Sequence, residues 1–336
     1  MKKRIQWVDI AKGIGIIAVV ISHAIHPIDT HFFDVSFKVL YWWHMPLFFI
    51  IGGFFLKPIV TNWEGIWGFF KKKVWPNIVI YFVAGTFLIL ASHYLDGSTW
   101  AYTRDYFIRL IYGGRSLNGN LTVFWFITVY TGSLVTTTAI ISWIKNVPAQ
   151  FITALSMFAV GVSYKHWDLV EFKFLDMDVV LITTFYMLVG YYVFKHLKET
   201  SWHYSLGVAI MGLYLFLIYL SYNGHFKFRM FLKAHTFNNT FLLMYLPLVL
   251  CFGIFIICIW MEQTSLFGWL SVVGKHSMII MYLHRLTFDY FNRFMIFRNW
   301  ESQVILGVIV PLLIGLVYEQ IKRQLASRKR LRNDSN

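Results

Sequence analysis

The sequence contains few charged residues. Asp, Glu, Lys and Arg make up 14% of its 336 residues, and hydrophobic residues make up 58%, whereas about 25% of a soluble domain is charged. This composition excludes an ordinary soluble domain and indicates a membrane protein that crosses the bilayer several times. Basic residues outnumber acidic ones by 30 to 16. They lie mostly at the ends of apolar runs, where they orient membrane proteins and contact anionic headgroups, so we expect no nucleic-acid partner.

Cysteine is scarce, and metal-binding motifs are missing. The two cysteines, Cys251 and Cys258, lie in one apolar run. On a helix they would be separated by about 10.5 Å of rise, which is too far for a disulfide bond. We therefore interpret them as buried apolar residues. No zinc-type spacing such as H-E-x-x-H occurs, and we expect no metal.

The N-terminus lacks the small-residue cleavage pattern of a signal peptide. Its apolar run is too long for such a peptide and includes Lys12 and His23, so we expect a first membrane span that is retained. An internal repeat of fixed period is also missing. The sequence therefore gives no support to a transporter built from inverted repeats.

Apolar windows of about 20 residues predict ten transmembrane helices. We place them at residues 7–28, 39–56, 74–94, 121–144, 148–164, 179–194, 204–222, 240–261, 269–288 and 303–321. An even number puts both termini on one side, and the excess of Lys and Arg in the loops of that side predicts the cytoplasm. The predicted fold is all-α, a polytopic N-in/C-in membrane protein. Residues 1–321 form the transmembrane domain, and residues 322–336 form a basic cytoplasmic tail.

Two ionisable residues, Lys12 and His23, lie inside the first predicted span. A Lys at the centre of a membrane helix costs roughly 2.5–3.5 kcal/mol, and such residues usually face a cavity or a partner. Eleven positions turn a helix by about 1100°, so both side chains share one face, separated by about 16.5 Å. A cation at the mouth and a base at depth would suit an elongated ligand such as acyl-coenzyme A. Alternatively, Lys12 could snorkel to the interface, and His23 could only hydrogen-bond between helices.

Four segments carry a resemblance to a known family. Residues 9–23 read D-I-A-K-G-I-G-I-I-A-V-V-I-S-H, and residues 43–55 read W-H-M-P-L-F-F-I-I-G-G-F-F. Residues 124–130 read F-W-F-I-T-V-Y, and residues 274–284 read G-K-H-S-M-I-I-M-Y-L-H. Together they resemble the membrane-bound acyltransferase-3 family, particularly its branch similar to fucose 4-O-acetyltransferases.

Three positions depart from the pattern of this family. Its first span has Arg, ten residues and then His, and here Lys12 stands at the Arg position. Ile51 precedes Gly52 where Ser is common, and His276 replaces the usual Asn. A Lys cannot make the bidentate phosphate contact of an Arg.

The resemblance implies a ten-helix transmembrane O-acyltransferase. Such an enzyme takes an acyl group, expected to be acetyl from cytoplasmic acetyl-CoA, and places it on a hydroxyl of a glycan or lipid-linked glycan. By match to the motif, His23 is the catalytic residue and Lys12 contacts the coenzyme. A His acting as general base toward a sugar hydroxyl is chemically suited to this step.

Further polar residues are candidates for the same site. We expect Lys275 to contact acyl-CoA, and the candidate substrate-binding residues are His44, Trp125, His284 and Asp34. His44 could equally be an interfacial His, and Trp125 could be a packing residue. The arginines at positions 104, 109 and 115 could recognise an anionic acceptor or form a solvated face.

Two other functions are compatible with the sequence. Aromatic-rich spans and a polar cavity would also serve a transporter that moves a glycan or a lipid-linked saccharide across the membrane. A non-catalytic partner in a polymer-synthesis complex is the third possibility. Transport would need neither an acyl donor nor His23, whereas acyl transfer would need both.

Overall fold

The computed structural model describes residues 4–163, 174–294 and 298–334. This part of the chain is almost entirely helical, which confirms the predicted all-α polytopic fold. The helices are α1 (Gln6–Ile25), α2 (His31–Tyr41), α3 (His44–Phe54), α4 (Trp63–Phe69), α5 (Trp75–Asp96), α6 (Trp100–Tyr112), α7 (Trp125–Trp143), α8 (Val147–Ser163), α9 (Met177–Glu199), α10 (Tyr204–Tyr222), α11 (Thr240–Glu262), α12 (Gly268–Lys275), α13 (Ser277–Arg293) and α14 (Trp300–Asp334).

Eight helical segments in the described residues are long and apolar enough to cross a membrane, or up to nine if the bent pair α12–α13 is one span. They overlap nine of the ten predicted spans. The remaining prediction, residues 148–164, falls on α8, an apolar helix of 17 residues. This length is at the lower limit for crossing the hydrocarbon core.

Helix α1 lies inside the bundle and packs against α3, α11, α12, α13 and α14. It crosses α12 at two glycines. A Cβ atom on Gly13 would lie 2.3 Å from the carbonyl oxygen of Leu270, and one on Gly274 would lie 1.7 Å from that of Asp9. The two backbones are therefore in direct contact, as small residues allow in membrane helix pairs.

An aromatic cluster joins α1 to three other helices. Trp7 of α1 contacts Phe54 of α3, Phe194 of α9 and Phe255 of α11, with ring centroids 5.7–6.3 Å apart. Phe54 and Phe194 are stacked at 4.9 Å. Each such pair contributes about 0.5–1.5 kcal/mol beyond area burial, so this cluster fixes the end of α1 that carries Lys12.

Helices α12 and α13 meet at a bend of 72°. The bend lies at His276, between the last residue of α12 and the first residue of α13. Gly315 of α14 makes room for this ring, because a Cβ atom there would lie 2.8 Å from Nδ1 of His276.

At the opposite end of the bundle, a loop between α10 and α11 folds over the helices. It contains a short antiparallel hairpin, β1 (Met230–Phe231) and β2 (Thr236–Phe237). The indole nitrogen of Trp42 donates to the carbonyl of Phe228 in this loop, at 3.3 Å. This contact and those of Lys233 described below hold the hairpin against the helix ends. By the orientation predicted from the charges, this is the outer end of the protein.

Candidate active site

A cavity of about 540 Å³ opens at the end of the bundle that carries the hairpin. Its size is within the range of small-molecule sites. The walls come from the end of α1, from α2, from the loop before α7, from the hairpin and from α13. The lining residues are His23, His26, Phe37, Tyr41, Arg115, Asn118, Gly119, Thr122, Trp125, Phe231, Lys233, Ala234 and Arg285.

His23 lies in this cavity, near the last turn of α1. Helix α1 is continuous from Gln6 to Ile25, so Lys12 and His23 share one face, as predicted. In the part of the chain that the structure describes, the His23 ring makes no hydrogen bond. Its contact is with the ring of His284, whose centroid is 5.2 Å away and whose plane is tilted by 37°.

His284 is fully buried on α13, at 0% exposure. Its Nδ1 lies 2.9 Å from the carbonyl oxygen of Ile280. A carbonyl oxygen can only accept a hydrogen bond, so Nδ1 carries the proton and the neutral ring has its lone pair on Nε2. This Nε2 is buried without a hydrogen-bond partner in the described residues. His284 therefore offers a fixed acceptor beside His23, which can receive an N–H from that ring and orient it.

Two further predicted residues lie at or behind the cavity wall. Trp125, at the start of α7, is part of the lining and is 6% exposed. His44 is 1% exposed and is separated from the cavity by Tyr41, whose ring it meets edge-on at 4.5 Å. The Nδ1 of His44 donates to the carbonyl of Leu40 at 2.6 Å. Trp125 can thus contact a ligand directly, whereas His44 supports Tyr41.

Asp34 lies in an adjoining cavity of about 480 Å³ that shares His26, Phe37 and Phe231 with the first one. Its carboxylate is paired with Lys38, one helical turn further along α2. The structure therefore places Asp34 beside the His23 cavity and not in its lining.

The cavity wall includes a buried ionic group. The guanidinium of Arg115 donates to Asp176 at 2.9 Å and also pairs with Asp178, and both carboxylates are almost fully buried. Nδ1 of His235 lies 2.6 Å from Asp178. Buried charges of this kind have to be paired. The pairs connect the loop before α7, the start of α9 and the hairpin around the cavity.

Three residues near this wall have left-handed backbone conformations, with φ between 49° and 54°: Leu175, Asp176 and His235. Non-glycine residues rarely adopt such angles, at a cost of about 1–2 kcal/mol each. Gly114 has the same handedness, and a Cβ atom there would lie 2.6 Å from Oδ1 of Asp176. The close turn at Gly114 lets the backbone N–H of Arg115 donate to this carboxylate at 3.0 Å.

Lys12 lies at the other end of α1, outside the lining of the His23 cavity. Its ammonium is 3.3 Å from the carboxylate of Asp9, which Arg4 also contacts at 3.0 Å. The same ammonium is 5.9 Å from the ring centre of Phe55. Its side chain is 25% exposed, so Lys12 remains accessible to a ligand from that end.

Lys275 lies at the same end as Lys12. Its ammonium contacts both carboxylate oxygens of Glu319 on α14, at 2.5 and 2.6 Å. Glu319 also pairs with Arg323 and lies 3.4 Å from Nε2 of His276. Lys275 is thus a candidate coenzyme ligand whose ammonium is already paired with Glu319.

Sequence reasoning missed Lys233 and Arg285, and it did not place Arg115 in the cavity. Arg285 follows His284 directly, and a charged residue within an apolar run is itself a functional signal. Lys233 gave no such signal, because it lies in a polar loop. Of the other two candidate arginines, Arg109 is paired with Asp105 at 2.7 Å and Arg104 is exposed. No group of three or more metal-ligating side chains occurs in the described residues.

Comparison with known proteins gives one match. Residues 5–319 match the model of a family described as an acyltransferase domain. Neither the curated proteins nor the solved structures include a match.

Proposed function

The chain belongs to the acyltransferase-3 family, because the family model covers nearly its whole length, and we propose that it is an O-acyltransferase of the cell envelope. In this proposal it moves an acetyl group from cytoplasmic acetyl-CoA to a hydroxyl of a glycan or lipid-linked glycan. The likeness of residues 9–23 to fucose 4-O-acetyltransferases supports a place in that branch. We further propose the bacterial plasma membrane as its location.

One observation carries this proposal: His23 has a free imidazole in an outer cavity and lies beside a histidine of fixed tautomer. In the cavity, a hydroxyl of the acceptor would lie against one nitrogen of His23. The other nitrogen would donate to Nε2 of His284. This arrangement is that of a general base held in orientation by a second group.

The proposed reaction uses this pair of histidines. A lone pair of the acceptor hydroxyl attacks the thioester carbonyl, and His23 takes the hydroxyl proton. The carbon–sulfur bond then breaks, and the departing thiolate receives the proton from His23. The products are the O-acyl ester and free coenzyme A, and His23 returns to its neutral state. In this proposal the transfer needs a base, and the place of His23 in the cavity lining supports that role.

The donor would enter from the opposite end. Lys12 and Lys275 are cations at that end, and phosphate groups of the coenzyme would contact them. Lys12 and His23 are separated by about 16.5 Å along one helix face, which suits a ligand with a charged head and a reactive tip. In this proposal Asp9 holds the Lys12 side chain in place until the phosphates bind.

The test is acetyl transfer from acetyl-CoA by the purified full-length protein in lipid nanodiscs. We expect His23→Ala and His23→Gln to lower kcat about 10²- to 10⁴-fold, the usual contribution of a general base. His225→Gln, which removes an exposed histidine of the outer loop, should retain activity. We expect Lys12→Ala to raise the KM for acetyl-CoA and to leave the KM for the acceptor unchanged.

The same variants separate acyl transfer from transport. Correctly folded His23 variants with full transfer activity would overturn the proposed mechanism. Glycan movement across the membrane without acetyl-CoA, undiminished in His23→Ala, would identify a transporter instead.

A further inference from the structure

The His23 cavity is lined by cations and, among the described residues, by no carboxylate. Three of these side chains are mostly charged at pH 7: Arg115, Lys233 and Arg285. The carboxylates of Asp176 and Asp178 neutralise Arg115. Within the described part of the chain, no carboxylate contacts Lys233 or Arg285. The cavity therefore has positive charge that is not balanced by a neighbouring anion.

Arg285 has a buried donor without an acceptor. Its Nε is buried and makes no hydrogen bond with any described residue. The guanidinium carbon lies 6.0 Å from the ring centre of Phe288, and the side chain is part of the cavity lining. Burying an unpaired polar group costs free energy. The unpaired Nε and the position of this side chain in the cavity lining together favour a ligand-binding role.

Lys233 is held in position by neutral groups. Its ammonium donates to the carbonyl of Leu117 at 2.6 Å and to the hydroxyl of Thr122 at 2.7 Å. An ammonium has three donors, so one donor remains for a ligand. Because neither acceptor is charged, an anion in the cavity would supply the missing counter-charge.

Aromatic rings line the cavity between these two cations and His23. Tyr41, Trp125 and Phe231 offer flat apolar surfaces, against which the face of a sugar ring can pack. Recognition sites of this kind combine apolar walls with a few fixed polar groups. An acidic sugar provides both features in one unit, a ring for the aromatic side chains and an anion for the cations.

We propose that the acceptor is an anionic glycan, whose carboxylate or phosphate binds Arg285 and Lys233 while a hydroxyl of the same or a neighbouring sugar meets His23. This inference rests on the proposed function, because it takes the outer cavity to be the acceptor site. A guanidinium binds the two oxygens of a carboxylate or phosphate with parallel hydrogen bonds. The anion would thus fix the orientation of the sugar relative to the base.

Binding is measured first, by calorimetry on the full-length protein in nanodiscs and without an acyl donor. The probes are two matched pairs: an oligosaccharide of glucose and glucuronic acid with its carboxyl-reduced form, and a phosphorylated oligosaccharide with its dephosphorylated form. We expect at least one acidic probe to bind more tightly than its neutral counterpart. Arg285→Gln and Lys233→Met should each weaken acidic binding by roughly tenfold, and Arg285→Lys should restore part of it.

Two charge-matched controls lie outside the cavity. Arg293 is an exposed arginine on the same helix as Arg285, and Lys227 is an exposed lysine in the same loop as Lys233. Arg293→Gln and Lys227→Met should keep the preference for the acidic probe. Equal loss in these controls would mean that net charge alone attracts the probe, and this result would overturn the inference.

Other outcomes also decide the matter. No acidic preference in the wild-type protein, or a preference that survives Arg285→Gln, overturns the inference. If Arg285→Gln lowers kcat equally with acidic and neutral acceptors and leaves their binding unchanged, Arg285 acts on the reacting carbonyl. This result would also overturn the inference. Acidic binding that needs Arg285, without any acetyl transfer, would confirm the anion site and overturn the proposed function alone.

Discussion

His23 and His284 differ in how the protein holds their rings. The backbone of α13 fixes the tautomer of His284 through Ile280, whereas His23 takes part in no hydrogen bond with a described residue. A general base needs one ring nitrogen that is free to accept and return a proton. It also benefits when a fixed neighbour, here His284, orients the ring through the other nitrogen. In the proposed mechanism the catalytic unit is therefore a pair, although the motif of the first span contains only one of its members.

The charge of Lys233 should make acidic binding depend on pH. Burial lowers its pKa to about 8, with Arg285 acting in the same direction and Asp176 opposing it. Lys233 is mostly protonated at pH 7 and mostly neutral at pH 9. We expect the affinity for a glucuronic-acid probe to fall severalfold between these pH values, which calorimetry at constant ionic strength would measure.

Lys233→Arg isolates this effect. A guanidinium stays charged throughout this pH range. We therefore expect the affinity of the Lys233→Arg variant for the acidic probe to be constant between pH 7 and pH 9. An equal fall in this variant would assign the pH dependence to another group of the cavity. The carboxyl-reduced probe should show no trend in either protein.

The sequence predicted which residues lie at the candidate site better than it predicted which groups those residues contact. His23, His284 and Trp125 were predicted as site residues, and all three lie in or directly beside one cavity. The structure pairs Asp9 with both Lys12 and Arg4, and the spacing of these residues in the sequence does not determine this arrangement. Lys233 could not be found, because a lysine in a polar loop resembles any solvated lysine until the loop is folded over the helix ends.

Among the helices, the crossing of α1 and α12 depends on glycine. The Cβ of an alanine at position 274 would lie 1.7 Å from the carbonyl oxygen of Asp9, so the two backbones would have to separate. We expect Gly274→Ala to destabilise the protein by about 1–3 kcal/mol, as overpacking does. Thermal unfolding in detergent would measure it.

Gly212 provides the matched control for this substitution. It lies within α10, and a Cβ atom there would meet nothing within 4 Å. Gly212→Ala should therefore change the stability by no more than about 0.5 kcal/mol. Equal unfolding temperatures for both variants would show that the crossing is looser than the structure indicates.

The ends and breaks of the helices were harder to predict than their presence. Hydropathy found the spans because every backbone group in lipid has to be satisfied within a helix. It treated residues 269–288 as one span, whereas the chain bends by 72° at His276. The room for that ring comes from Gly315 of α14, a tertiary contact that no local pattern of residues 269–288 contains.

The whole molecule has two chemically different ends. One end has the Asp9 and Glu319 ion pairs with Lys12 and Lys275, and the other has the cavity with His23 and Arg285. The predicted N-in/C-in orientation assigns the first end to the cytoplasm and the second to the outside. The proposed transfer from a cytoplasmic donor to an envelope acceptor requires this arrangement.

This orientation can be tested with a maleimide reagent that does not cross membranes. Lys227 and Ser327 are exposed at opposite ends of the protein. We expect Lys227→Cys to react in intact cells and Ser327→Cys to react only after permeabilisation. The wild-type protein is the control and should stay unlabelled, because Cys251 and Cys258 are both buried at 0% exposure. The reverse pattern would contradict the predicted orientation.

The contact between Gly13 and Gly274 also affects biogenesis. The ribosome makes α1 first, but the backbone against which its glycine groove packs is synthesised more than 250 residues later. During that interval lipid tails or a membrane insertase must occupy the groove, as with other surfaces exposed before a domain is complete. A nascent chain that stops before α12 would leave this groove open, and quality-control proteases could recognise it there.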